Sequence, residues 1–128
     1  MAKTKVRFLQ KPTCTTCRKA KDFLEHLGAD FELRSLDAEP LSEAELDQLI
    51  GARDYKKFLN PRNELYREHN MSEKPPTRAQ AIKLMAKTPN LIRRPVVVRG
   101  EDIVLGFDET ALKNLMRPEP HAKSKAAG

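Results

Sequence analysis

Aromatic side chains are scarce: the 128 residues include no Trp, two Tyr and five Phe. With so few rings to stack on bases, a dedicated nucleic-acid face has little to work with, although the chain carries a formal charge of +6. Cysteine is also scarce, with only Cys14 and Cys17, so a disulfide-stapled scaffold is excluded. No apolar run approaches the roughly 18–20 residues of a membrane span. The opening Met1-Ala2-Lys3-Thr4-Lys5-Val6 lacks the apolar stretch of a secretory signal, which makes the cytoplasm the expected location.

What remains is a modest hydrophobic fraction, 39%, set in a chain that is 33% charged. That supports one core of ordinary size, and apolar residues recur at regular spacings through most of the chain. The 24 Lys and Arg against 18 Asp and Glu favour anionic partners such as phosphate, a small oxyanion or an acidic protein.

Val6–Leu9 alternates as a strand ending at Lys11-Pro12. A helix follows, with Cys17, Ala20, Phe23, Leu24 and Leu27 on one face and Gly28 at its end. Phe31 and Leu33 alternate with Asp30, Glu32 and Arg34, predicting a second strand with one buried face. Strand, helix and strand form a βαβ unit.

The middle is helical. Ser42-Glu43-Ala44-Glu45 is a capping box, with Leu41 and Leu46 placed as a staple. Asn60-Pro61 reads as the N-cap and first residue of a short helix through Glu68. Thr77-Arg78-Ala79-Gln80 caps another helix, and Thr88-Pro89 opens a single turn. Val96–Val98 and Ile103–Leu105 flank a turn as a hairpin, and Asp108 caps a last helix. The expected organisation is a single domain over 1–116, with a helical insert at about 42–92 and a disordered basic tail at 117–128. The order βαβ, insert, ββα is that of an α/β thioredoxin-like domain.

Cys14-Thr15-Thr16-Cys17 follows the first strand and opens the first helix. Unpaired amides and the helix dipole stabilise a thiolate there, so Cys14, nearest the helix end, is expected to be the more exposed and more acidic thiol. Cys17, one turn in, is placed to attack a mixed disulfide on Cys14. Two other readings stay open. Zinc would need about four ligands, and His26, His69 and His121 are scattered without a second cysteine pair. Two inert cysteines in a CxxC spacing are the other. Arg62, placed in the first turn after Asn60, is either a tolerated surface cation or part of an anion site lined by helix amides. Arg94-Pro95 suits the start of a strand, and X-Pro frequencies alone predict a trans peptide.

Taken together, these segments resemble the arsenate reductase family of thioredoxin-like proteins, including its Spx regulator branch. Pro12-Thr13-Cys14-Thr15-Thr16-Cys17-Arg18 is similar to the family's cysteine loop, and Asn60-Pro61-Arg62 stands where the family carries an arginine. Asn90–Val98 is similar to its arginine-proline strand, and Leu105-Gly106-Phe107-Asp108-Glu109 to its closing turn. The resemblance covers roughly residues 5–116. It implies a glutaredoxin-like mixed four-stranded sheet, with Cys14 as nucleophile and Cys17 as the second cysteine of the Spx-like branch. It implies that Arg62 and Arg94 hold an anion beside the loop residues Thr15, Thr16 and Arg18, and that Pro95 is a cis-proline facing Cys14. No metal or bound organic cofactor is implied, only an external thiol donor such as glutathione, glutaredoxin or thioredoxin. A further arginine beyond the closing hairpin is missing near Gly106-Phe107, which counts against arsenate as the physiological substrate. The expected activities are therefore a cytoplasmic thiol-disulfide oxidoreductase, an Spx-like redox regulator binding the RNA polymerase α-subunit, or an inactive binding module.

Overall fold

The computed structural model describes residues 4–11 and 13–117. The described residues divide into two compact units, one formed by those up to Ser35 with those from Arg94 onward and the other by Leu36–Arg93.

The first unit is built on strands β1 (Thr4–Gln10), β2 (Ala29–Ser35), β3 (Val96–Arg99) and β4 (Asp102–Leu105), in the sheet order β2-β1-β3-β4. β1 and β2 are parallel and are connected through helix α1 (Thr15–His26). β3 pairs antiparallel with both β1 and β4, so the sheet is mixed, as expected. Alternation along β1 places Val6 and Phe8 on one face, where they meet Cys17, Ala20 and Leu24 of α1. Leu112 and Leu115 of the last helix (Glu109–Leu115) close the same core. Gly28 ends α1 with φ +87°, a left-handed conformation that a side chain would strain, and its N–H donates to the Glu25 carbonyl.

The second unit is helical: α2 (Glu43–Ile50), α3 (Glu64–Glu68) and α4 (Arg78–Lys87), with 3-10 turns at Tyr55–Phe58 and Pro89–Leu91. The last helix of the first unit is therefore α5. Both capping boxes form. The Ser42 side chain accepts from the Glu45 amide while Glu45 accepts from the Ser42 amide, and Thr77 and Gln80 repeat the arrangement on α4. Leu41 and Leu46 are both buried, as a staple requires. Arg78 bridges the two helices, pairing with the Asp47 carboxylate and donating to the carbonyls of Asp47 and Gly51 at the end of α2.

Three expectations are corrected. Asn60 does not cap α3; Asn63 does, its side chain accepting from the Leu65 amide. The Asn60 Oδ1 instead accepts from the Arg62 amide, and its Nδ2 donates to the Asn90 carbonyl. Arg62 accordingly lies in the turn before α3, exposed, and not in a first helical turn. Leu33 does not share the buried face of β2: it is 48% exposed, because β2 is the edge strand and the core covers only its neighbour Phe31 in part. The Arg94–Pro95 peptide is cis, against the frequency argument and in agreement with the family resemblance. Of the expected tail, Arg117 is still tied by its N–H to the Asn114 carbonyl, and the remainder lies outside the described residues.

Candidate active site at the Cys14 thiol

The strand-to-helix passage fixes the first cysteine. Cys14 stands at the N-cap position of α1 with extended backbone angles, and its own N–H donates to the Lys11 carbonyl at 2.9 Å. The Arg18 amide returns to the Cys14 carbonyl at 3.1 Å and starts the helical ladder. No side-chain oxygen caps this helix. The Cys17 backbone N–H is among the groups that lower the Cys14 pKa.

Cys14 is half-buried and Cys17 is fully buried in the core, both as free thiols. Burial alone raises the Cys14 pKa, since it penalises the thiolate. The Cys17 amide, the Cys17 S–H and the Arg94 guanidinium outweigh that cost by hydrogen bonds and charge, and the net shift is downward. The partner thiol behaves in the opposite sense. Desolvation first, and then the neighbouring Cys14 sulfur, push Cys17 up to about 12. The two environments thus separate the thiols, making Cys14 the more acidic and holding the proton on Cys17.

Arg94 reaches this point because it precedes the cis peptide and β3, the strand beside β1. Its Nε is buried, and the residue as a whole is half-buried. Pro95 is buried, and its carbonyl accepts from the Gly106 N–H at 2.9 Å, which ties the arginine-proline step to the closing turn. Beyond that turn, Phe107 packs edge-on against Phe23, with ring centroids 5.8 Å apart.

Of the residues singled out from the sequence, the structure brings Cys14, Cys17 and Arg94 together, with Pro95 next to Arg94 in the chain. Thr15 and Thr16 occupy the first turn of α1, exposed and half-buried. Arg18 is exposed and is not among the groups that shift Cys14. Arg62 belongs to the helical unit. Pro12, the first residue of the expected cysteine loop, lies outside the described residues. One contributor was not anticipated: the Lys11 backbone touches Cys17 and partly offsets its desolvation. Any residue type can supply a main-chain group, so no sequence signal announces it. Among the described residues, no group of three or more His, Cys, Asp or Glu side chains could hold a metal ion, and no helix is long and apolar enough to cross a membrane.

Comparison with known proteins places the chain in a family and a fold. The ArsC family model matches residues 9–115. YusI of Bacillus subtilis, an uncharacterized protein, is 37% identical over 106 residues, covering 80% of this chain and 90% of its own length. The global transcriptional regulator Spx 2 of Lactococcus lactis is 29% identical over 104 residues, covering 80% of this chain and 79% of the regulator. Among solved structures, an ArsC-family-related protein from Bacteroides fragilis superimposes with a TM-score of 0.76 at 30% identity, over 88% of this chain and 98% of that one.

Proposed function

This chain belongs to the ArsC family, and from that membership we propose that it is a cytoplasmic thiol-disulfide oxidoreductase using Cys14 as nucleophile and Cys17 as resolving thiol. The observation that carries the proposal is the placement of the two thiols: Cys14 is half-buried at the N-cap of α1, where Arg94 favours its thiolate, and Cys17 is buried in the first turn, where desolvation pushes it up to about 12.

The chemistry follows from that asymmetry. The Cys14 thiolate attacks one sulfur of an oxidised substrate disulfide, forming a mixed disulfide and expelling the other sulfur as a thiolate, which takes a proton from solvent. Once Cys14 is no longer an anion, the charge that opposed ionisation of Cys17 is gone. Cys17 then loses its proton and attacks the Cys14 sulfur. The second substrate thiol leaves, and the Cys14–Cys17 disulfide remains. Two electrons have passed to the substrate, and an external dithiol, or two glutathione molecules, returns them to the protein. Arg94 orients and stabilises the thiolate, and its fork of donors suits a small oxyanion in the same position. Arg62, Thr15, Thr16 and Arg18 are proposed as further anion-contacting residues on the family resemblance. No resident metal or organic cofactor takes part in these steps.

The Spx relative favours a second reading, in which the same disulfide switches binding to the RNA polymerase α-subunit and the protein regulates rather than catalyses. One experiment separates the two. The Cys17→Ser variant cannot resolve a mixed disulfide, so it accumulates covalent partners for identification by mass spectrometry. Glutathione or a thiol protein on Cys14, together with catalytic disulfide reduction by the unaltered protein, supports the enzyme. Redox-dependent retention of the polymerase α-subunit, without turnover, supports the regulator. A variant that traps nothing, in a protein without either property, contradicts both.

A further inference from the structure

The helical unit holds a cleft that the redox chemistry does not use. It has a volume of about 430 Å³, is open on one side, and lies between the end of α3 with the turn after it and one face of α4. Gln80, Lys83 and Leu84 share that face by their three- and four-residue spacing. Met71, Pro76 and Leu84 give the cleft an apolar lining, and Met71 is buried. Its walls are tied in place. The Tyr55 hydroxyl donates to the Pro76 carbonyl at 2.6 Å, and the Met71 N–H donates to the Tyr66 carbonyl at 3.0 Å.

The polar side chains of the lining are mostly donors awaiting an acceptor. Lys74 and Lys83 are exposed, and among the described residues neither ammonium has an ion pair or hydrogen bond. The Gln80 Oε1 accepts from the Thr77 amide, which leaves the Nε2 donors, and the His69 ring supplies a further N–H. No carboxylate lines the cleft. Glu73, beside Lys74 in the chain, is turned to the Asn70 side chain and accepts from its Nδ2.

We infer that this cleft binds a small organic carboxylate with an apolar body, the carboxylate paired with Lys74 and Lys83 and the hydrocarbon seated on Met71, Pro76 and Leu84. The volume falls within the range of small-molecule sites, about 300–1,000 Å³. A bare inorganic anion would gain nothing from the apolar lining and would lose hydration against it. A nucleotide or a peptide brings N–H donors of its own, which lining side chains that are mostly donors cannot answer. A carboxylate only accepts, and a hydrocarbon body asks for no hydrogen bond. The site involves no cysteine, so it stands or falls apart from the redox proposal.

Titration of the isotope-labelled full chain with 2-naphthoate, followed by amide NMR shifts, tests it. The expected result is saturable binding with shifts gathered in residues 69–87. A dissociation constant of about 1 mM or tighter is what ordinary ligand efficiency gives for a ligand of this size. Uncharged 2-naphthol and acetate each keep one half of the ligand, and each should bind about fivefold more weakly or worse. Lys74→Gln/Lys83→Gln should weaken 2-naphthoate about tenfold, with the amide spectrum reporting that the variant is folded. Lys113→Gln on α5, outside the cleft, should leave binding unchanged.

Absence of saturation up to several millimolar overturns the inference. So does 2-naphthoate bound no more tightly than acetate or than 2-naphthol, since charge alone or apolar contact alone is then at work. Equal losses in Lys113→Gln and in the double variant would show diffuse charge and overturn it too. Shifts centred on Cys14 and Arg94 would assign the ligand to the thiol site and remove the cleft. An acetylated tetrapeptide of alternating glutamate and leucine that binds the same residues more tightly than 2-naphthoate overturns the small ligand in favour of a protein segment.

Discussion

Arg94 lowers the Cys14 pKa, although the two residues stand 80 positions apart in sequence, because β3 brings the arginine alongside β1 and the loop that follows it. That influence favours thiolate over thiol. Arg94→Ala should therefore raise the Cys14 pKa, and Arg94→Lys should raise it less, since lysine keeps the charge without the planar fork. Ultraviolet thiolate absorbance against pH measures the shift. Each unit corresponds to about 1.4 kcal/mol and, at neutral pH, to about a tenfold loss of thiolate. An unchanged titration in Arg94→Ala would remove the arginine from the site.

Cys17 should be silent in the native protein. With a pKa of about 12, its thiolate fraction near pH 8 is on the order of one in ten thousand, and the side chain is buried as well. A thiol reagent is expected to modify one cysteine quickly and the second only after denaturant is added. Two thiols reacting at similar rates would contradict the buried, protonated Cys17.

The same displacement has a consequence for stability. The folded pKa of Cys17 lies above its unfolded value, so its contribution is complete below about pH 8.5 and is lost as pH rises through about 12. Cys14 is shifted the other way, and its contribution is already complete above the unfolded value. Between pH 9 and 12, then, the unaltered protein should lose more stability than Cys17→Ala does. Denaturant unfolding of both proteins at several pH values reads the difference, and parallel pH profiles would contradict it.

Mild oxidation should remove two free thiols and add one intramolecular bridge, with the far-ultraviolet circular dichroism nearly unchanged, because only the first turn of α1 has to adjust. Peptide mapping checks the linkage. Two separately modified thiols, or an intermolecular dimer alone, would deny Cys17 its resolving role.

Ser42→Ala should destabilise the helical unit by about 1 kcal/mol, since it removes the acceptor for the Glu45 amide. A denaturant midpoint equal to that of the unaltered protein would show that the cap is dispensable.

The elements most legible in the sequence were those whose determinants are local. The Ser42–Glu45 and Thr77–Gln80 boxes, the Asp108 cap and Gly28 each depend on groups within a few residues. Asn60 was misread for the opposite reason: the Asn90 carbonyl, thirty residues away, holds its amide, and a second asparagine three positions later takes the cap. Leu33 obeys its alternation, but its exposure depends on where β2 falls in the sheet, which periodicity does not encode. At the site, the CxxC spacing and its place at a helix start made Cys14 and Cys17 readable. The contact of Arg94 and the cis peptide followed only from the family resemblance, because both depend on strand neighbours far apart in sequence.

The central claim is that Cys14 is an activated nucleophile. The rate of iodoacetamide alkylation against pH, in the Cys17→Ser variant where Cys14 is the single thiol, measures it most directly. The account predicts an inflection below the ordinary cysteine value of about 8.5, moving upward when Arg94→Ala is added. An inflection at or above that value, indifferent to Arg94, would contradict it.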